Sequence, residues 1–96
     1  MSQPLSAEAV EKELLTMKDW AVQGDAISKT YTFGSFREAV SFIVRIGFEC
    51  EEMDHHPQLE NVYNTVRISL STHDAGGKVT ERDIKLARRI DAISWV

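Results

Sequence analysis

All three histidines of this 96-residue chain fall between positions 55 and 73. His55 and His56 are adjacent in MDHHPQLE, residues 53–60, and His73 closes VRISLSTH, residues 66–73. Two chemistries use this residue type: metal ligation and proton transfer near neutral pH. Neighbouring residues of an extended segment point in opposite directions, and Pro57 biases His56 toward that form. The pair is therefore poorly arranged to chelate one ion. No H-E-x-x-H or paired C-x-x-C accompanies it, so no metal is expected. Acid–base work fits better, because an imidazole both gives and takes a proton at low cost. Glu51, Asp54 and Asp74 lie close enough in sequence to favour a charged imidazole or to fix its tautomer. Two histidines from separate segments can also flank a small flat molecule. On the residues alone, catalysis and a polar sheet surface whose histidines cap loops remain equally open.

The elements that must carry these residues follow from periodicity and punctuation. Ser6 can cap a first helix, with Val10, Leu14 and Met17 at helical spacing. WAVQ, Gly24-Asp25 and AISKTYTF then read as a hairpin, with Ile27, Tyr31 and Phe33 alternating. Ser35-Phe36-Arg37-Glu38 is a capping box for a helix over about 36–49. Residues 58–72 read as strands broken near Tyr63-Asn64. In the second strand Val66, Ile68 and Leu70 point one way, while Arg67, Ser69, Ser71 and, by extension, His73 point the other. Asp74 to Gly77 form a loop. Thr80-Glu81-Arg82-Asp83 opens a last helix through Ile84, Ala87 and Ile90. The order α-β-β-α-β-β-α predicts an α+β fold: a four-stranded antiparallel sheet with helices packed on one face.

Composition narrows the class of protein. The length suits one domain, residues 1–96, and such a small chain gains burial by oligomerising. Helix 36–49 is apolar over more than one face: Phe36, Ala39, Val40, Ile43 and Gly47 form a stripe that Phe42, Val44 and Ile46 widen. A surface helix needs only about 100° of apolar arc, so a second subunit is the expected partner. The net charge of −4 argues against direct nucleic-acid binding. The basic run Lys78, Arg82, Lys85, Arg88 and Arg89 is interrupted by acids and reads as a solvated helix face. The single Cys50 precludes an internal disulfide, and Glu49 and Glu51 beside it disfavour a thiolate, so it reads as structural. No signal-like segment or membrane-length apolar run is visible, so a cytoplasmic protein is expected.

Taken together, Glu51-x-x-x-His55-His56-Pro57, Tyr63, Val66-x-Ile68-x-Leu70-x-Thr72-His73 and Gly77-x-Val79-Thr80-x-x-Asp83 resemble the pterin-4a-carbinolamine dehydratase family. Trp20 and Ser35-Phe36 extend the likeness over nearly the whole chain. The resemblance implies dehydration of 4a-hydroxytetrahydropterin to quinonoid dihydropterin, recycling the cofactor of aromatic amino-acid hydroxylases, without metal or organic cofactor. It assigns acid–base transfer to His55 and His73, substrate binding chiefly to His56, and an orienting role to Glu51. Its pterin-contacting segments carry over to Asp54-His55-His56 and Ser71-Thr72-His73-Asp74. Asp83 also matches a family position, one that helix capping explains equally well. Two features depart from the family. Leu59 stands where a large aromatic is usual, implying lost stacking surface if that position borders the pterin, and the loop before Thr80 is one residue longer. Some relatives act as dimerisation partners of a homeodomain transcription factor. That role is the alternative to a homo-oligomer, dimer or tetramer, for the apolar helix, and it would add a nuclear location.

Overall fold

The architecture is set by two hairpins, each followed by a long helix, as a computed structural model describes for residues 3–95. Helix α1 spans Ala7–Leu14, β1 Ala21–Gln23, β2 Ala26–Thr32, α2 Phe36–Met53, β3 Gln58–Val62, β4 Thr65–Leu70 and α3 Glu81–Ala92; a single 3-10 turn occupies His73–Ala75. The strands form one antiparallel sheet in the order β1-β2-β4-β3. The α-β-β-α-β-β-α order and the one-sided helical layer are as the sequence predicts.

Alternation puts Ile27 and Tyr31 of β2 and Val66, Ile68 and Leu70 of β4 on the helix-covered face, all buried. They meet Ala39, Phe42, Ile46 and Cys50 of α2 and Ile84, Leu86, Ala87 and Ile90 of α3 in one core. Tyr31, Phe33 and Phe42 cluster at its centre, with Phe42 4.7 Å and 5.0 Å from the other two ring centroids. The opposite sheet face is polar, where the Ser28 and Ser69 hydroxyls meet at 2.7 Å.

Three local expectations need correction. Helix α2 runs to Met53 rather than 49, because Cys50 and Met53 extend the stripe of Phe42 and Ile46 onto the core. At its start Ser35 accepts from the Glu38 N–H as expected, but the Glu38 carboxylate accepts from the N–H of Gly34, not of Ser35. His73 does not continue β4; it begins the 3-10 turn, because the chain leaves the sheet after Leu70. At the start of α3, where the sequence places a helix opening, a capping box is complete: Thr80 Oγ1 accepts from the Arg82 N–H, and Asp83 Oδ2 accepts from the Thr80 N–H at 2.8 Å.

The basic run before and along α3 is mostly paired. Lys78 meets Asp25, Arg88 meets Glu13 of α1, and Arg89 meets Glu49 and Glu52 of α2. Such exposed pairs add little stability individually.

Candidate active site

Two chain reversals bring the histidines together. The first ends α2. Asp54 adopts the left-handed conformation (φ 49°, ψ 45°); its N–H bonds to Glu51 O, and the next N–H, of His55, bonds to Cys50 O at 3.0 Å. This is the Schellman way of closing a helix, with Asp in the place glycine usually takes. The second reversal follows β4. The Thr72 N–H bonds to Lys78 O at 2.8 Å, and Thr72 O accepts from the N–H groups of Ala75 and Gly77. Gly76 and Gly77, at φ 71° and 76°, let the loop turn this tightly.

Between the two reversals lies a cleft of about 230 Å³ lined by Asp54, His55, His56, Ser71, Thr72, His73, Asp74 and Arg82. All seven residues expected to contact substrate face this one space. A larger cavity of about 530 Å³ between α1 and the β1–β2 turn is lined mainly by apolar side chains and holds no histidine. All three histidines line the smaller one.

The three histidines differ sharply in setting. His55 is buried, and its Nε2 lies 2.5 Å from Oδ1 of Asp83, which is wholly buried. The other oxygen of Asp83 accepts from Thr72 Oγ1 at 2.9 Å and from the Thr80 N–H. Thr72 has one hydroxyl proton and spends it on Asp83, so in its 2.7 Å contact with Thr80 it is Thr80 that donates. The carboxyl group thus has three partners, as a buried polar group requires. His56 is exposed, with Nε2 3.2 Å from the exposed Glu51 carboxylate, and His73 is exposed on its turn.

Glu51 is therefore placed on His56 and outside the cleft lining, whereas the carboxylate that meets His55 is Asp83. Arg82 is the cleft residue that sequence reasoning assigned elsewhere. Its Nη2 donates to Asp54 O at 2.7 Å, and the available signal was its position beside Asp83 in the first turn of α3. Leu59 pairs with Ile68 and packs on the core, so the change from an aromatic falls outside the cleft wall. Burial, and then the Glu49 carboxylate, push the Cys50 thiol up, which suits an inert core residue. Among the described residues no group of three or more His, Cys, Asp or Glu could hold a metal ion. No described helix is long and apolar enough to cross a membrane.

A family model described as Pterin 4 alpha carbinolamine dehydratase matches residues 3–93. A protein of Opitutus terrae with the provisional name pterin-4-alpha-carbinolamine dehydratase is 54% identical over 92 residues, covering 96% of this chain and 95% of that one. A Bradyrhizobium diazoefficiens protein with the same name is 50% identical over 96 residues, covering 98% and 95%. Among solved structures, a transcriptional coactivator/pterin dehydratase from Brucella melitensis is similar with a TM-score of 0.90 at 35% identity, covering 96% of this chain and 99% of that one. A pterin dehydratase-like protein identified as a RuBisCO assembly factor in the alpha-carboxysome gives 0.67 at 28% identity, covering 79% and 89%.

Proposed function

Because the chain belongs to the pterin 4 alpha carbinolamine dehydratase family, we propose that its histidine cleft removes water from 4a-hydroxytetrahydropterin to give quinonoid dihydropterin. The observation that carries this reading is a buried, carboxylate-held histidine facing the same cleft as an exposed one.

The reaction breaks the C4a–O bond, takes the proton from N5 and forms the C4a=N5 double bond. The hydroxyl leaves as water after gaining a proton, so no electrons are gained or lost overall. An acid and a base on either side of one C–N bond are sufficient. With Asp83 ionised, His55 carries its proton on Nε2, which leaves Nδ1 as the ring's proton acceptor. His55 is then the base for the N5 proton, and Asp83 stabilises the imidazolium that forms. His73, free on its turn, protonates the departing hydroxyl. His56, with Glu51 beside it, contacts the substrate at the cleft margin. The carboxylates of Asp54 and Asp74 suit the ring N3–H and 2-amino donors of a pterin. Both backbone groups of Thr72 and the C=O of His73 are occupied within the loop, so strand-end reading of the pterin amide falls to Ser71 and the His73 N–H. Loss of water needs neither metal nor organic cofactor. A free cysteine, kept reduced, fits a cytoplasmic setting.

The test is a dehydration assay on synthetic 4a-hydroxytetrahydropterin, with uncatalysed breakdown as baseline. His55→Ala and His73→Ala should each lower kcat by about a hundredfold or more. His56→Ala should act mainly by raising KM. Wild-type rates in both of the first two variants would sink the acid–base assignment.

A second reading concerns partners. Phe36, Val40, Val44 and Phe48 recur every fourth residue on α2 and are all exposed in the single chain. Assembly of like subunits through this stripe is the reading the family favours. The coactivator and assembly-factor relatives make a different protein on the same face the alternative.

A further inference from the structure

Two consecutive residues of α3 grip the two residues that follow α2. Asp83 takes the ring of His55, and Arg82 takes the carbonyl of Asp54. The Asp54 carbonyl and the His55 N–H belong to one peptide plane. That plane is held from both sides: its N–H by Cys50 O at 3.0 Å and its C=O by Arg82 Nη2 at 2.7 Å. Two oppositely directed hydrogen bonds stop the plane from rotating. Its orientation fixes the direction in which the Cα–Cβ bond of His55 leaves the chain. The plane also follows a non-glycine residue at φ 49°, a conformation that persists only where its surroundings enforce it.

We infer that Arg82 is a positioning residue for His55, locking the Asp54–His55 peptide so that the imidazole lies on Asp83 with its other nitrogen left to accept a proton. The kinetic part of this inference rests on the dehydratase reading above, and the geometric part does not. Arg82 also lines the cleft, so direct contact with substrate is the rival account, and the two separate cleanly. A residue that only binds substrate shifts KM. One that sets the aim of the base lowers kcat, since a misplacement of about 1 Å can cost up to roughly a hundredfold.

The experiment compares wild type, Arg82→Met and Arg82→Lys in the dehydration assay and by long-range ¹H–¹⁵N NMR of the histidine rings. In Arg82→Met, kcat should fall by about tenfold or more with KM within about twofold, and Arg82→Lys should recover part of the loss. The His55 ring signals should move or broaden in the Met variant, while the indole N–H of Trp20, bonded to Asp91 on the far part of α3, should stay in place. Unchanged kcat, a raised KM at constant kcat, or unaltered His55 signals would each overturn the inference. Should Arg82→Met fail to fold, Arg82→Lys carries the same test. If wild type shows no dehydration above baseline, the functional reading fails and the ring spectra still decide the role of Arg82.

Discussion

Asp83 serves two elements with its two carboxylate oxygens: Oδ2 closes the capping box of α3, and Oδ1 holds His55. Asparagine keeps the size but offers an amide N–H₂ where one of those oxygens accepted. Asp83→Asn should therefore lower stability by about 1–3 kcal/mol, read by urea unfolding, because a buried donor or acceptor loses its partner. It should also lower kcat by about a hundredfold, because the imidazolium of His55 loses its counter-charge. An Asn variant with wild-type turnover would show that His55 works without the carboxylate. The sequence displayed the first role, since Thr80 and Asp83 stand three apart at a helix start. It could not display the second, because His55 lies 28 residues away and reaches Asp83 only after α2 has made its last turn. For the same reason the notable neighbour of His55 in sequence, Glu51, ends on the exposed His56.

Helix α2 has two apolar faces with different fates. Ala39, Phe42, Ile46 and Cys50 are buried in the core, while Val44 is 54% and Phe48 71% exposed. The sequence made this excess of apolar surface visible, because residue type along a helix reads directly as faces. It did not fix the helix end, since the charged pair Glu51-Glu52 hides the continuing core contacts of Cys50 and Met53. Those contacts carry the helix a further turn and bring Asp54 and His55 to the cleft. Val44→Glu, paired with Phe48→Glu, should reduce the particle mass seen by light scattering to that of one chain, while leaving helical circular dichroism intact. An unchanged mass would show that subunits do not meet on this stripe, and a wild-type chain that is already monomeric would leave the face to a different protein.

At the scale of the whole molecule, Asp91 near the end of α3 is the tie between helical layer and sheet. It accepts from Trp20 Nε1 at 2.9 Å, from Lys29 Nζ at 2.8 Å and from the Tyr31 hydroxyl. Burial first, then the hydrogen bond and charge of Asp91, push the Tyr31 phenol well above its ordinary value of 10.0. The unfolded chain therefore ionises this phenol first, and the stability it contributes is whole below pH 10 and declines as pH rises beyond it. The urea midpoint should fall above that pH in wild type. Tyr31→Phe should be less stable at neutral pH but show a flatter alkaline decline; an equal decline in both would place the effect elsewhere. None of these ties was legible in the sequence, for each spans 60 residues or more. The two hairpins were legible, being local, but the order in which they join was not. That order, β1-β2-β4-β3, has a kinetic consequence. The central pairing of β2 with β4 must close a loop that contains all of α2 and β3, and every histidine and carboxylate of the cleft, with Asp83 behind it, comes from residues 54–83. Loop-closure entropy grows only slowly with the length enclosed, so the β2–β4 closure at Thr32↔Thr65 and the His55–Asp83 closure across 28 residues cost nearly the same, and neither the middle of the sheet nor the cleft forms as a local, early unit.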